Sequence, residues 1–206
     1  MSTKTSKTVN LREARREDFD ALWRLDQDCF PPGISYSRLE LGAYLRRKGA
    51  ISLVAETVPA LKTKSSNAQY VPLLGFIVAQ VEGGAAKKED DDARIDDIRL
   101  DDDRADSNHQ PLVTAQHVTG HIITIDVAAK ARRTGVGSLL LDAVEDRLDA
   151  AGCRIVNLEV AVDNAAAIAF YRRHRYAAGR TISHYYSNGA DALVMTRQLS
   201  STGNLV

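Results

Sequence analysis

The stretch ARRTGVGSLLLDAVEDRL, residues 131–148, joins a glycine-rich turn to an amphipathic segment. Apolar residues recur there at helical spacing and predict a helix over residues 135–151 that is closed by Gly152. The expected inner face of this helix is Leu139, Leu140, Val144 and Leu148. Glycines let a ligand approach the backbone, first-turn N–H groups face negative charge, and the paired arginines neutralise it. The stretch therefore predicts a phosphate-binding turn at the start of a helix.

Two common phosphate motifs do not fit this turn. A P-loop needs a lysine directly after its last glycine, whereas Ser138 follows Gly137. A Rossmann turn needs a third glycine, and Leu140 takes that position. The remaining pattern is R-x-x-G-x-G, formed by Arg132, Gly135 and Gly137. The neighbouring segments must therefore identify the phosphate ligand.

The rest of the chain alternates between strand and helix patterns. Predicted strands cover residues 9–12, 51–56, 73–81, 122–127 and 154–162, followed by a closing hairpin of 183–188 and 192–199. Predicted helices run from residue 16 to just before Pro31, around residues 39–45, and over residues 135–151 and 164–173. Strands interleaved with helices place the chain in the α/β class.

The length of 206 residues is sufficient for one buried core, and we expect a single domain over residues 9–199. Residues 1–8 are expected to form a disordered tail, and residues 200–206 a second tail. Residues 83–118 are strongly acidic with few apolar positions and predict a mobile insertion. A metal site there is the alternative, although the spacing is not that of a calcium loop.

The formal net charge is zero, which gives no basic field to attract nucleic acid or an anionic membrane. The start of the chain lacks the apolar region of a secretory signal, and no window approaches the roughly 20 apolar residues that span a bilayer. We therefore expect a soluble, cytoplasmic protein with neither nucleic-acid nor membrane partners. Cys29 and Cys153 lie far apart without CxxC spacing, which favours structural thiols and no bound metal. Composition does not give an oligomeric state.

The segments around the turn resemble a known family. Residues 124–152, TIDVAAKARRTGVGSLLLDAVEDRLDAAG, are similar to the acetyl-coenzyme A motif of the GNAT acetyltransferase superfamily. The resemblance continues through RIVNLEVAVDNAAAIAFYRRHRYAAGR and ISHYYSNGADALVM and covers at least residues 121–199. These later segments resemble the protein N-terminal acetyltransferases, including the RimI-like bacterial enzymes. The resemblance implies the GNAT fold, a single mixed central sheet with helices on both faces and strands splayed at the acetyl-CoA site.

The resemblance also implies cofactor-binding residues. The backbone of Ile125, Asp126 and Val127 would contact the pantetheine amides of acetyl-CoA. The pyrophosphate would lie on Arg132, Arg133, Thr134, Gly135, Val136, Gly137 and Ser138. Asn164 would contact the cofactor from the start of the following helix, a role compatible with that of a helix N-cap. Tyr171 would place its hydroxyl near the thioester sulfur, and an ordinary core tyrosine is the alternative.

Acetyl transfer from a thioester to an amine needs a neutral amine, a stabilised oxyanion and a protonated leaving thiolate. In the predicted strand 154–162, Asn157 and Glu159 point away from the apolar face. Glu159 is the candidate general base, acting directly or through water, and a solvated charge at a strand end is the alternative. Tyr171 is the candidate donor to the leaving thiolate, and the Val127 N–H is the candidate oxyanion donor. Direct attack in a ternary complex requires no acyl-enzyme.

In the N-terminal acetyltransferases, the loop after the first helix and the late hairpin line the acceptor slot. The resemblance thus implies as substrate-binding residues Phe30, Pro31, Tyr36, Tyr185 and Tyr186, with simple packing as the alternative. The sequence predicts an acetyl-CoA-dependent N-acetyltransferase whose foremost acceptor is the N-terminal α-amine of a protein, with a ribosomal protein as one candidate. The alternatives are an acetyltransferase for a small amine, such as a polyamine or aminoglycoside, and a non-catalytic acetyl-CoA-binding module.

Overall fold

The computed structural model of the chain describes residues 9–57, 73–83 and 118–199. Its strands are β1 (Val9–Glu13), β2 (Ala50–Thr57), β3 (Leu73–Glu82), β4 (Thr119–Val127), β5 (Ile155–Ala161), β6 (Ala177–Ile182) and β7 (Ala192–Gln198). They form one sheet in the order β1-β2-β3-β4-β5-β7-β6. Neighbouring strands are antiparallel except β4 and β5, which are parallel. The predicted single mixed sheet is confirmed.

The helices in the described residues are α1 (Phe19–Cys29), α2 (Arg38–Arg46), α3 (Val136–Ala150) and α4 (Ala165–Arg173). Two short 3-10 turns, Arg16–Asp18 and Ala129–Ala131, precede α1 and α3. The α2 start is a capping box, in which the Ser37 hydroxyl accepts the Glu40 N–H and the Glu40 carboxylate accepts the Ser37 N–H. Helix α1 ends where predicted, because Phe30 precedes a proline and adopts an extended backbone.

The sheet carries helices on both faces. Alternate residues of β2 and β3 enter two separate clusters, as their pleat requires. Leu53 and Ile77 pack with α3, whereas Val54 and Phe76 pack with α1 and α2. The face of the sheet covered by α1 and α2 is called the α1/α2 face below.

The inner face predicted for α3 is wrong at one position. Leu139 is 46% exposed, while Leu141 is fully buried. Three consecutive leucines leave the direction of the apolar face undecided, since each is 100° from the next around the helix. Leu141 lies on the same side as Val144 and Leu148, and Leu139 faces the opposite way.

Strands β4 and β5 separate part of the way along their length. They pair from Thr119 opposite Ile155 to Ile122 opposite Leu158. Beyond that point both strands continue without pairing to each other. A bulge in β4 marks the separation, because Ile123 has no partner residue on β3. The expected splay in the middle of the sheet is therefore present.

The closing hairpin differs from the prediction. Its first strand is β6 (Ala177–Ile182), and residues 183–188 belong to the connection before β7. Positive φ angles at His184 and Gly189 bend this connection, and the Asp191 carboxylate accepts the His184 N–H. Val162 lies past the end of β5 and is exposed, although the predicted strand extended to residue 162. Both predicted tails and residues 84–117 of the predicted insertion lie outside the described residues.

Candidate active site

The end of β4 faces the gap between β4 and β5 with fixed backbone groups. The Ala128 N–H donates to the Leu74 carbonyl on the β3 side. Because neighbouring residues in a strand alternate in direction, the Val127 N–H points away from β3 and into the gap. The Val127 carbonyl accepts hydrogen bonds from Arg132 Nε at 3.0 Å and from the Cys29 thiol at 3.5 Å. These contacts hold the end of β4 in place.

The connection between β4 and α3 folds into an open concavity. Arg133 and Gly135 both have positive φ angles, of 64° and 93°. Thr134 Oγ1 braces the turn by donating to the Ala131 carbonyl at 2.7 Å. A side chain placed on Gly135 would meet nothing within 4 Å, so open space lies in front of the first turn of α3. Its unpaired N–H groups make this concavity suitable for an anion.

Several residues predicted to bind pyrophosphate also have partners within the protein. Arg132 reaches back to β4, as described, and Ser138 Oγ lies 2.9 Å from His174 Nε2. Gly137 allows α4 to approach, since a Cβ there would lie 3.4 Å from the Phe170 ring. The Val136 side chain is buried beneath the turn, which leaves its backbone as the part available to a ligand.

Asp126 lies between two of the predicted pantetheine contacts, but its side chain is fully buried on the α1/α2 face. Its carboxylate accepts the Thr124 hydroxyl at 2.8 Å. Burial raises the pKa of Asp126 well above its usual range, and the charge of Asp26 adds to the effect. Only the backbone of Asp126 is therefore available to the gap.

Helix α4 places Asn164 and Tyr171 beside the gap. Asn164 Oδ1 accepts the Ala167 N–H at 3.1 Å, which confirms the capping role and leaves the cofactor contact a prediction. Tyr171 is 6% exposed and packs edge-on against Phe170 and Tyr176. Burial raises the pKa of Tyr171 above 10, with further contributions from the charges of Asp126 and Tyr186. The phenol therefore stays protonated at neutral pH.

Glu159 is not a solvated charge at a strand end. Its side chain is 18% exposed, and Oε2 lies 2.6 Å from His121 Nε2. The Tyr185 hydroxyl donates to the same oxygen at 3.4 Å. A nitrogen and an oxygen so close are joined by a hydrogen bond, and against an ionised carboxylate the shared proton is carried by His121 Nε2.

His121 is a candidate functional residue that the sequence prediction missed. Its other ring nitrogen, Nδ1, lies 3.3 Å from Glu82 Oε1. Burial lowers the pKa of His121, but the hydrogen bond to Glu159 and the charges of Glu159 and Glu82 outweigh it and hold that pKa above 6.5. The register that pairs His121 with Asn157, two residues before Glu159, brings the pair together. No local pattern in the sequence gives the register of two parallel strands.

Two loops meet beside this pair. The Gly33 carbonyl accepts hydrogen bonds from both the backbone N–H and the hydroxyl of Ser187, each at 3.1 Å. The Asp26 carboxylate accepts the Tyr36 N–H at 2.8 Å, and the Tyr36 hydroxyl donates to the Ile123 carbonyl at the bulge of β4. The loop after α1 is thereby fixed against the gap.

The predicted substrate-binding residues fall on these two loops. Tyr185 and Tyr186 pack edge-to-face with ring centres 5.0 Å apart. Burial raises the pKa of Tyr36, and the nearby Tyr44, Tyr185 and Tyr186 raise it further. The structure therefore brings the three tyrosines together. Phe30 and Pro31 begin the loop after α1, the first half-buried and the second exposed, and their substrate contacts stay predictions.

In the described ranges 9–57, 73–83 and 118–199, no group of three or more His, Cys, Asp or Glu side chains could hold a metal ion. None of the helices in the same ranges has both the length and the apolar character needed to cross a membrane.

Comparison with known families agrees with this geometry. The model of the acetyltransferase (GNAT) family matches residues 19–176, from the start of α1 to just before β6. The chain belongs to the GNAT acetyltransferase family. The match includes the splayed strands, the concavity before α3 and the Glu159–His121 pair.

Two curated relatives carry the name N-alpha-acetyltransferase. The protein of Sulfolobus acidocaldarius is 37% identical over 81 residues, which cover 39% of this chain and 48% of the relative. The protein of Sulfurisphaera tokodaii is 25% identical over 197 residues, covering 95% of this chain and 96% of the relative. The match thus spans about half the length of the first relative and nearly all of the second.

Two solved structures share the fold. Arabidopsis thaliana NAA60 in complex with acetyl-CoA superposes with a TM-score of 0.69 at 21% identity, covering 93% of this chain and 99% of NAA60. The ribosomal-protein-S18-alanine N-acetyltransferase of Escherichia coli gives a TM-score of 0.64 at 18% identity, covering 97% and 99% of the two chains. At these identities the likeness establishes the fold.

Proposed function

We propose that this protein transfers the acetyl group of acetyl-CoA to the N-terminal α-amine of a protein, by direct attack in a ternary complex. The observation that carries the proposal is the 2.6 Å contact between Glu159 and His121, which lies on the strands that separate to form the gap. It supports a general base beside the gap, and the contact of Tyr185 with Glu159 connects that base to the tyrosine-lined loops. The names of the two N-alpha-acetyltransferase relatives support the same activity.

Acetyl-CoA fits the residues around the gap. The concavity at Arg133–Gly135 offers converging backbone N–H groups and open space to the pyrophosphate. The exposed Arg133 side chain adds positive charge, while the Ile125–Val127 backbone faces the pantetheine arm. The bound thioester supplies an activated acetyl carbonyl. In this proposal Ser138 and Asn164 contact the cofactor without losing the internal hydrogen bonds that they make.

The acceptor amine must lose a proton before it attacks. An α-amine has a reference pKa near 8, so deprotonation at pH 7 costs about 1.4 kcal/mol, whereas a lysine near 10.4 costs almost 5 kcal/mol. The Glu159–His121 pair accepts this proton once it has released its own shared proton. A positioned base of this kind contributes about 10² to 10⁴ in rate. The smaller cost favours an N-terminus over a lysine side chain.

The remaining charges develop at the acetyl carbonyl and at sulfur. The Val127 N–H, fixed by contacts on both sides, donates to the oxyanion as the amine nitrogen bonds to the acetyl carbon. As the C–S bond breaks, the Tyr171 hydroxyl donates to the thiolate. The raised pKa of Tyr171 makes complete proton transfer to a thiolate unfavourable, so its contribution is a hydrogen bond.

A peptide N-terminus enters between the loop after α1 and the β6–β7 connection, against Tyr36, Tyr185 and Tyr186. The contact between Gly33 and Ser187 supports a narrow slot of this kind, which suits an extended peptide. The alanine terminus of a ribosomal protein is one acceptor of the required chemistry. The cytoplasmic location and the single-domain limits of 9–199 stay predictions.

The proposal is tested by mass spectrometry of acetyl transfer to paired peptides, one with a free and one with a blocked α-amine. A panel of polyamines and aminoglycosides is assayed in parallel. We expect transfer to the free α-amine alone, together with a preference for particular first residues. Transfer only to small amines would show that the acceptor is a small amine and not a protein N-terminus. Acetyl-CoA binding without any transfer would favour a non-catalytic module.

A further inference from the structure

Glu82 lies at the end of β3, on the side of His121 that faces away from Glu159. His121 Nδ1 is 3.3 Å from Glu82 Oε1, and His121 Nε2 is 2.6 Å from Glu159 Oε2. The three side chains come from the adjacent strands β3, β4 and β5. The imidazole therefore bridges two carboxylates that are 77 residues apart in the sequence.

Both ring nitrogens of His121 face a carboxylate. A neutral imidazole has one N–H and one lone pair, and an ionised carboxylate can only accept a hydrogen bond. Both carboxylates are therefore satisfied together only by the imidazolium, whose Nε2–H donates to Glu159 and whose Nδ1–H donates to Glu82. The Glu82 side chain is 37% exposed, against 18% for Glu159, so water reaches the Glu82 carboxylate more easily.

We propose that Glu82 is a positioning residue for the catalytic base: by accepting the Nδ1–H it fixes the His121 ring with Nε2 against Glu159. This inference rests on the proposed function. As the N–C bond forms, the amine proton moves to the Glu159–His121 pair and leaves an imidazolium that donates to both carboxylates. The imidazolium loses this proton to water after the product leaves.

Among the residues that the structure describes, two charged groups act on His121. Glu82 approaches from β3 and Glu159 from β5, and Tyr185 of the β6–β7 connection acts through its hydrogen bond to Glu159. The strand neighbours opposite His121, Gln80 and Asn157, are uncharged. Removing the Glu82 charge should therefore lower the pKa of His121 while leaving the Glu159 contact in place.

Two substitutions separate charge from hydrogen bonding. Glu82→Gln removes the charge but keeps an oxygen that accepts from Nδ1, whereas Glu82→Ala removes both. The matched control is Glu56→Gln. Glu56 lies on β2 and pairs with Arg12 on β1, away from the strand β4 that carries His121. The pKa of His121 and its Nδ1–H are read from ¹⁵N NMR of the full chain without substrates, and kcat and KM are measured against pH.

We expect the pKa of His121 to be lower in both Glu82 variants than in the wild type, with the Nδ1–H kept in a hydrogen bond only in Glu82→Gln. The acidic limb of the kcat profile should move to lower pH in both Glu82 variants. The plateau kcat should fall at least tenfold in Glu82→Ala, with KM for acetyl-CoA unchanged.

An unchanged pKa of His121 in Glu82→Ala would overturn the inference, and so would kcat profiles of both variants that coincide with that of Glu56→Gln. A wild type that acetylates no α-amine would overturn the proposed function and, with it, the catalytic role of Glu82. The two failures are distinguishable because the NMR signals are read without an acceptor.

Discussion

Gly33 and Ser187 lie 154 residues apart in the sequence and are joined by two hydrogen bonds, both to the Gly33 carbonyl. This contact fastens the loop after α1 to the β6–β7 connection. Because the proposed acceptor slot runs between these loops, its width depends on the contact.

Gly33→Ala is expected to disturb the slot. Gly33 has a φ of +88°, and a Cβ there would lie 2.6 Å from Asn188 Cβ. Gly189→Ala is the matched control, since Gly189 has a φ of +84° with nothing within 4 Å. The positive φ should cost both variants about 1 kcal/mol of stability, and Gly33→Ala should lose more because Asn188 must shift. Only Gly33→Ala should raise KM for a peptide acceptor several-fold in steady-state assays, and equal KM values would contradict the slot.

Gly135→Ala is expected to weaken acetyl-CoA binding. Gly135 and Gly152 flank the two ends of α3, both have φ near +90°, and neither would place a Cβ against protein atoms. The strain in the two alanine variants should therefore match. Isothermal titration should show Kd for acetyl-CoA raised about tenfold or more in Gly135→Ala, equivalent to at least 1.4 kcal/mol. A similar loss in Gly152→Ala would mean that the effect is not local to the turn.

Tyr171→Phe is expected to lower kcat by about tenfold or more while leaving Kd for acetyl-CoA unchanged, because it removes the donor to the leaving thiolate. Tyr176→Phe is the control. The Tyr176 hydroxyl donates to buried Glu145 at 2.8 Å, so its loss should cost about 1–3 kcal/mol of stability and little activity. Rapid-quench kinetics and thermal unfolding check the two effects. The same kcat in both variants would remove Tyr171 from the mechanism.

Acetyl transfer should increase with pH through the raised pKa of His121, because the Glu159–His121 pair must release its shared proton before it accepts another. Stability should change with pH in the opposite direction. The contact between Glu159 and His121 stabilises the fold fully below pH 6.5, and this stabilisation is lost as pH rises through the pKa of His121 in the folded chain. Glu159→Gln should reduce kcat by about 10² to 10⁴ and remove the acidic limb. A pH-independent kcat in the wild type would argue against this base.

Asp26 should make the fold less stable as pH rises. Burial raises the pKa of Asp26 from 3.8 to about 6, so between these values the folded chain binds more protons than the unfolded chain. The contribution of Asp26 to the free energy of unfolding therefore falls through this window, by up to about 3 kcal/mol. Urea unfolding at pH 4 and pH 7 should show this loss in the wild type and not in Asp26→Asn. Parallel changes in both proteins would show that other groups dominate.

The fold could be predicted from the sequence because its signals are local. The turn of Arg132–Ser138 and the apolar period of α3 identify one element, and the alternation around Glu159 identifies a strand. The errors occur where local patterns are ambiguous. Three consecutive leucines do not show which of Leu139 and Leu141 is buried, and the turn residues of the β6–β7 connection resemble a strand through their tyrosines.

The candidate site was predicted only in part, because its main contact depends on strand register. Glu159 was identified from its position opposite the apolar face of β5. His121 and Glu82 lie on other strands, and nothing in their own segments shows that β4 pairs with β5 in the register that joins them. The contacts of His121 with Glu82 and Glu159 form because β3, β4 and β5 lie side by side in the sheet.

The proposed preference for an N-terminal α-amine over a lysine side chain is best tested with one peptide that carries both a free α-amine and an internal lysine. Tandem mass spectrometry at low conversion locates the acetyl group, with Glu159→Gln as the control. We expect the wild type to acetylate the α-amine alone and Glu159→Gln to produce almost no acetylated peptide. Acetyl appearing first on the lysine side chain, or at equal rates in both proteins, would contradict it.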